Sequence, residues 1–248
     1  MLTEMVTLGA SADALADKLT GGGLSATALA KNTPVPPGAV AAIGDESSAD
    51  AMVAVAAALG ERHEALLMLV ATALSVREGG TAVGVERKRA VAAKFAEALG
   101  LSVRDSQTFQ RGALLHDVGK LELPNELLLS KSLLTHDEWE KIRRYPALGA
   151  ALCKKTPGMA DLAELIGGHQ ECYDGTGYPE GIERDAIPYL ARAMRLVNVY
   201  CAMTSPRSYR TGHATAAEAL AFIESELGKH FDPDLGAQFL GLGLDSEA

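Results

Sequence analysis

Apolar side chains recur every three or four residues along most of the chain, which is the spacing of one face of an α-helix. The pattern is broadest between Ser48 and Glu78, and it returns in the segment "VERKRAVAAKFAEALGLS". A further helix is predicted from Thr135, which together with Glu138 has the spacing of a capping box. We find no convincing alternation of apolar and polar residues, so no strand is predicted. The pattern therefore predicts an all-α protein.

The first 47 residues are patterned more weakly than the rest. "SADALADKL", which begins at Ser11, predicts a short helix, and the Pro-rich stretch "KNTPVPPG" predicts a linker. We therefore expect two parts. Residues 1–47 would form a short N-terminal helical extension with a Pro-rich linker, and residues 48–248 would form the main domain.

The long helix predicted over Ser48–Glu78 carries an apolar stripe, formed by Leu66, Leu67, Val70 and Leu74. Such a stripe packs either into the core of its own chain or against another chain. The preceding segment "MVAVAAAL" adds a second apolar face, and the Pro-rich stretch places the helix near a domain edge. We therefore predict a homodimer formed through this helix and the N-terminal extension.

Composition narrows the classes of partner and compartment. The formal net charge of −9 disfavours binding to a nucleic acid polymer or to an anionic membrane. No apolar segment reaches the ~18–20 residues that a membrane-spanning helix needs, so we predict no membrane insertion. Cys153, Cys172 and Cys201 are scattered and show no CxxC spacing, which favours reduced thiols and a cytoplasmic location.

Two segments carry residues suited to chemistry, and the first is "LLHDVGK". His116 and Asp117 together suit a site for Mn, Fe, Zn or Mg, and Lys120 could meet a phosphate. The alternative is a capped helix end in which Asp117 pairs with Lys120 at the i,i+3 spacing. These residues alone favour the alternative.

The second segment is "GGHQECYDGTGYPEG" over Gly167–Gly181, called here the GYP loop. Its candidate residues are His169, Glu171, Asp174, Gly175, Gly177, Tyr178 and Pro179. His169 could face the same ion as His116, while the two carboxylates could hold its second ring nitrogen or orient the loop. Because glycine tolerates backbone angles that other residues avoid, we predict an ordered turn with Gly175 or Gly177 at a positive φ.

Four segments of this sequence together resemble the HD-GYP family, the branch of the HD phosphohydrolase superfamily that hydrolyses cyclic di-GMP. They are "LLHDVGKLELPNELL", "HQECYDGTGYPEGI", "IPYLARAMRLVNVYCAMTSPRSYR" and "FDPDLGAQFL", which lie in the family's order and spacing. The resemblance covers about Glu61 to Leu240. It implies a helical bundle of the HD-GYP type, preceded here by the short helical extension.

The resemblance also implies a centre of two or three metals, from which this chain departs. The family's ligands are an upstream His, the HD dyad, a His before Pro, a double His in the loop and an Asp in a DxxDA segment. His116, Asp117 and His169 are retained. The other four positions carry Gly84, Tyr145, Gln170 and Asn198. We therefore predict no metal cofactor, or at most one divalent ion (Fe, Mn, Zn or Mg) on the three retained residues.

Two cysteines leave an alternative open. Cys172 and Cys201 could replace lost ligands and would then favour Zn. Each also fits an ordinary position, Cys172 in the loop and Cys201 in the core.

Three functions follow from this reading. The first is a catalytically inactive HD-GYP-like domain that binds cyclic di-GMP, or a signalling protein that docks on the GYP loop. Its predicted binding residues are Lys120, Asp174, Gly175, Gly177, Tyr178, Pro179, Arg192, Arg207 and Arg210. The alternatives are a residual metal-dependent phosphodiesterase in which Lys120 assists, and a structural dimerisation module.

Overall fold

The computed structural model describes the backbone of residues 5–8, 26–29, 40–43, 49–78, 80–128, 130, 133–205 and 212–247, with side chains from residue 63 onward. The chain divides into two compact units, Met1–Leu66 and Leu67–Ala248. The boundary between the units lies inside the first helix, so the predicted division at residues 47 and 48 stays a prediction.

The first unit contains a small parallel sheet, which corrects the expectation of a helical extension without strands. Its strands are β1 (Met5–Leu8), β2 (Ala26–Leu29) and β3 (Val40–Ile43), in the order β2-β1-β3. Four-residue strands are too short to show a two-residue alternation, and parallel pairing joins segments far apart in sequence. The predicted helix after Ser11 and the Pro-rich linker lie outside the described residues.

Helices make up the regular structure that is described after the sheet. The α-helices are α1 (Ala49–Arg77), α2 (Ala82–Ala98), α3 (Val103–Leu115), α4 (Asn125–Leu128), α5 (His136–Arg143), α6 (Tyr145–Lys155), α7 (Ala163–Gly168), α8 (Tyr189–Thr204), α9 (Ala216–Ser225) and α10 (Pro233–Leu240). Short 3-10 helices lie at Val118–Glu122, Ala160–Leu162, Arg184–Ala186 and Leu244–Glu247. The predicted capping box is present at the start of α5, where Thr135 and Glu138 bond each other's backbone.

The core of the second unit forms around α8, whose inward face is fully buried at Met194, Leu196 and Val197. Aromatic rings also join the helices that surround α8. Phe95 of α2 lies edge-on to Phe239 of α10, with ring centroids 5.0 Å apart. Edge-to-face pairs of this kind add to the stabilisation from apolar burial. The packing fixes α2, α3, α7 and α8 against one another, and these helices carry the candidate residues.

The apolar stripe of α1 divides into two faces. Leu67 and Leu74 are 6% exposed and pack into the core of the second unit. Leu66, Leu69 and Val70 are exposed on the other side, with Leu69 65% exposed. Both alternatives left open for the stripe therefore apply to part of it, because α1 turns one apolar row towards the core and the other away from it.

The 3-10 helix Val118–Glu122 packs closely on α6, which positions Asp117 and Lys120 beside Tyr145. A side chain at Gly119 would collide with the carbonyl oxygen of Tyr145 and with the backbone of Gly149. Gly119 and Gly149 therefore allow the two backbones to approach closely, because glycine has no side chain. No helix in the described parts of the chain is both long enough and apolar enough to cross a membrane.

Candidate functional site

Two buried imidazoles face each other at the ends of α3 and α7. The Nδ1 atom of His116 lies 3.0 Å from the carbonyl oxygen of Ala113, and Nδ1 of His169 lies 2.7 Å from that of Ile166. Because a carbonyl oxygen can only accept, each Nδ1 carries the proton and each Nε2 presents a lone pair to the centre. Burial lowers the pKa of both rings, and that of His169 falls to about 3.

Lys88, which sequence analysis missed, reaches the first of these lone pairs. Its Nζ atom lies 2.9 Å from Nε2 of His116 and 3.1 Å from Oδ1 of Asn198. Lys88 follows Gly84 by one turn of α2, so both residues lie on the same helix face. The four-residue spacing from Gly84 was the only sequence signal for Lys88. Neighbouring residues do not show that a lysine at this spacing enters the site.

Asp117 lies between the two rings and is shared among several partners. Its Oδ2 atom is 3.0 Å from Nε2 of His116 and 3.0 Å from Nζ of Lys120. Lys120 also pairs with Glu78 at 2.7 Å. Although burial opposes ionisation, His116 and, next, Lys120 hold the pKa of Asp117 well below its usual range. Its Oδ1 atom is buried, 3.9 Å from Nε2 of His169, and has no hydrogen-bond partner among the described residues.

Tyr145 hydrogen-bonds to the second imidazole, that of His169. Its hydroxyl lies 2.9 Å from Nε2 of His169 and accepts a hydrogen bond from Nε2 of Gln170 at 2.8 Å. Burial, and next the charge of Asp117, raise the pKa of Tyr145 well above its usual value, so the hydroxyl keeps its proton and donates it to His169. Of the substituted positions, Tyr145 is thus hydrogen-bonded to the retained His169, and Gln170 is hydrogen-bonded to Tyr145.

The retained trio does not fit a metal ion as it is arranged. A metal would need the Nε2 lone pairs of His116 and His169, which already accept hydrogen bonds from Lys88 and Tyr145. At Gly84 the missing side chain leaves a cavity of about 80 Å³, whose lining includes Lys88, His116 and Cys201. Across the described residues, no group of three or more His, Cys, Asp and Glu is placed to hold a metal.

The GYP loop forms an ordered turn, as predicted. Gly175 has a φ of 80°, and the side chain of Asp174 accepts hydrogen bonds from Thr176. A side chain at Gly177 would collide with the backbone of Glu171 and Cys172. The glycines at 175 and 177 are therefore required for different reasons, a left-handed angle at one and a close approach at the other.

Glu171 and Arg195 hold this loop from beneath. The buried carboxylate of Glu171 accepts hydrogen bonds from the backbone N–H groups of Glu180 and Gly181. Of its two predicted roles, it therefore orients the loop and does not hold the ring of His169. Arg195 donates to the carbonyl oxygen of Gln170 at 3.1 Å and to Sγ of Cys172 at 3.0 Å. Sequence reasoning missed Arg195, since only the packing of α8 under the loop shows its partners.

The two predicted basic residues that the structure describes are each held by carboxylates. Lys120 is held between Asp117 and Glu78, and Arg192 between Asp185 and Asp232. Arg207 and Arg210 lie outside the described residues.

Tyr178 and Pro179 lie at the rim of the centre. The ring of Tyr178 is edge-on to Tyr145, with centroids 6.5 Å apart, and the guanidinium of Arg143 lies 5.8 Å above it. The peptide bond between Tyr178 and Pro179 is cis. The structure thus links the loop to the centre through the contact between Tyr178 and Tyr145.

Comparisons with known proteins identify the family. A sequence family described as "HD domain" matches residues 62–235. The cyclic di-GMP phosphodiesterase response regulator of Xanthomonas campestris pv. campestris is 37% identical over 175 residues, 70% of this chain and 46% of that protein. A 3'3'-cGAMP-specific phosphodiesterase of Vibrio cholerae is 33% identical over 140 residues, 56% of this chain and 30% of that protein. This chain spans less than half the length of these curated relatives.

A solved structure supports the fold. The crystal structure of a cyclic GMP-AMP-specific phosphodiesterase of V. cholerae superposes with a TM-score of 0.57 at 20% identity, over 71% of this chain and 47% of that one. Since the matched sequence family takes in more than half of the chain, this protein belongs to the HD-domain family, and the resemblance to its HD-GYP branch is confirmed.

Proposed function

We propose that this protein is a hydrolytically inactive HD-GYP domain that acts by binding in cyclic-dinucleotide signalling, in the cytoplasm. One observation carries the proposal: the lone pairs that a metal centre would use are capped by the chain's own Lys88 and Tyr145. A hydrolase of this family needs metal-bound water as its nucleophile, and acidifying that water requires the metal. The domain keeps the helices around the centre, but the lone pairs that would bind a metal ion are already hydrogen-bonded.

The occupant that the surface favours is a signalling protein that docks on the GYP loop. The outward side chains on and just after the loop include four exposed carboxylates, at Asp174, Glu180, Glu183 and Asp185. Such a surface repels a dinucleotide with two phosphates and attracts a basic protein surface. The cavity at the centre, about 80 Å³, is also far below the ~300 Å³ typical of small-molecule sites.

A calorimetric titration of cyclic di-GMP into the metal-free protein tests this choice. We expect no saturable binding up to ~100 μM nucleotide, because Lys120 and Arg192 already pair with carboxylates and Lys88 already donates to His116 and Asn198. Saturable binding that Lys120→Ala weakens at least tenfold would contradict protein docking as the function and favour the cyclic di-GMP receptor.

Docking itself is tested by affinity capture from a bacterial lysate with two matched variants. Glu180→Lys reverses a charge on the loop, and Glu140→Lys reverses one on the exposed face of α5. A partner that docks on the GYP loop is expected to be lost with Glu180→Lys and kept with Glu140→Lys, and capture should weaken as salt rises. A capture profile identical for both variants would contradict the loop as the docking surface.

We also propose that the protein is a homodimer, now through the outward face of α1. Leu66, Leu69, Val70 and Val76 are exposed there and recur at helical spacing. A stable interface buries at least ~1,000 Å² in total, and the outward face of α1 would supply its apolar centre.

Light scattering at micromolar concentration should give a dimer mass for the wild type. Leu69→Glu is expected to give a monomer, since a charge would be buried at the interface. Val83→Glu, at an equally exposed apolar position on α2, is the matched control and should stay dimeric. A wild-type monomer mass that is unchanged over a tenfold concentration range would end the dimer proposal.

A further inference from the structure

Three hydrogen-bond acceptors converge at one point of the centre. They are Nε2 of His116, Oδ2 of Asp117 and Oδ1 of Asn198, contributed by α3, the turn after it and α8. The first two are only 3.0 Å apart. Because Nδ1 of His116 carries the ring proton, no hydrogen lies between them, and two lone pairs this close are unfavourable unless a cation stands beside them.

The chain supplies that cation from α2. Lys88 Nζ donates to His116 at 2.9 Å and to Asn198 at 3.1 Å, and its charge acts on Asp117. An imidazole nitrogen, a carboxylate and an amide oxygen are also ligand types that a divalent ion accepts. The acceptors therefore form a cation site, and a side chain of the same protein reaches it.

Among the described residues, two ammonium groups face two carboxylates at this point: Lys88 and Lys120 lie against Asp117 and Glu78. A divalent ion added to the cluster would leave two uncompensated positive charges in a buried site, which is costly. Entry of the ion would thus require Lys88 to leave and its ammonium to find water or another partner.

We infer that the Lys88 ammonium is a built-in replacement for a metal ion, holding His116, Asp117 and Asn198 together and keeping divalent cations out. The inference concerns occupancy of the site and does not depend on what docks on the GYP loop. It extends to a latent property: the metal site should return when Lys88 is shortened, since the acceptors remain and the cavity at Gly84 leaves room for an ion with its waters.

Thermal unfolding of the full chain, with MnCl2 or ZnCl2 as the probe, tests this directly. The wild type should show no shift in Tm on adding either metal. Lys88→Ala should unfold at a lower temperature without metal and regain about 5 °C or more at metal concentrations ~100-fold above Kd, because the metal binds only the folded state. Elemental analysis of the dialysed variant should then find about one ion per chain.

Two matched variants separate the site from unspecific binding. Lys88→Met removes the charge but fills the same space, so it should be destabilised without rescue by metal. Lys88→Ala combined with His116→Ala should lose the rescue, since the imidazole ligand is gone. If Lys88→Ala does not fold, Lys88→Ser, which keeps a hydroxyl donor, takes its place.

Two results would overturn the inference. One is a metal-dependent rise in the Tm of the wild type that disappears in His116→Ala, which would mean that the site loads despite Lys88. The other is a folded Lys88→Ala or Lys88→Ser variant with no metal-dependent rise, which would mean that Lys88 is not what keeps metal out. The inference shares the Lys88 contact with the proposed inactivity, but hydrolysis of cyclic di-GMP and docking are measured separately, so failure of the inference can be told from failure of the proposed function.

Discussion

Cyclic di-GMP incubated with the purified protein and Mn²⁺, Fe²⁺ or Mg²⁺ should remain intact. Four positions that the family fills with ligands carry Gly84, Tyr145, Gln170 and Asn198, and the first offers no side chain. The lone pairs that remain are capped by Lys88 and Tyr145. Without metal, water keeps its ordinary high pKa rather than one near 7, so the nucleophile is absent at neutral pH.

The expected rate is that of the buffer alone, without the acceleration of at least ~10⁶-fold that enzymes typically provide. Chromatography of the nucleotide after overnight incubation measures it. The Xanthomonas relative named as a cyclic di-GMP phosphodiesterase, assayed with the same metals, is the positive control. Product that forms with the wild type and disappears with His116→Ala would show a working centre and support the residual phosphodiesterase instead.

Asp232→Ala is expected to destabilise the second unit by about 3–5 kcal/mol, the cost of leaving one half of a buried ion pair unmatched. Asp232 is buried, lies 2.5 Å from the guanidinium of Arg192, and caps α10 by accepting the N–H groups of Asp234 and Leu235. Removing it leaves the charge of Arg192 on α8 without its buried partner. The helix also loses its N-cap, which is typically worth ~1 kcal/mol.

Asp185→Ala is the matched control, because it removes the other carboxylate from the same guanidinium. The side chain of Asp185 is 92% exposed, so this ion pair is worth at most ~1 kcal/mol. Urea unfolding followed by circular dichroism compares the two variants, and Asp232→Asn separates the charge from the cap. Equal effects of Asp232→Ala and Asp185→Ala would contradict a structural role for Arg192 and return it to the candidates for phosphate binding.

The helical class of the domain and the shape of its loop could be predicted because both follow from local rules. Helical periodicity and the capping box at Thr135 act over a few residues, and so does the left-handed angle at Gly175. The strands β1 to β3 could not be predicted in the same way. Each is four residues long, and each is stabilised by partners distant in sequence.

The sequence by itself determined where this chain departs from the motif residues of the family that it resembles, since identity at a position needs no coordinates. It also predicted His116, Asp117 and His169 as one candidate site. Only the tertiary structure decided which side chains surround these three residues. Lys88 arrives from α2 and Tyr145 from α6, and each caps an imidazole on a different helix. Hydrogen bonds form by distance and direction in space, and the packing of α2, α3, α6 and α7 sets both.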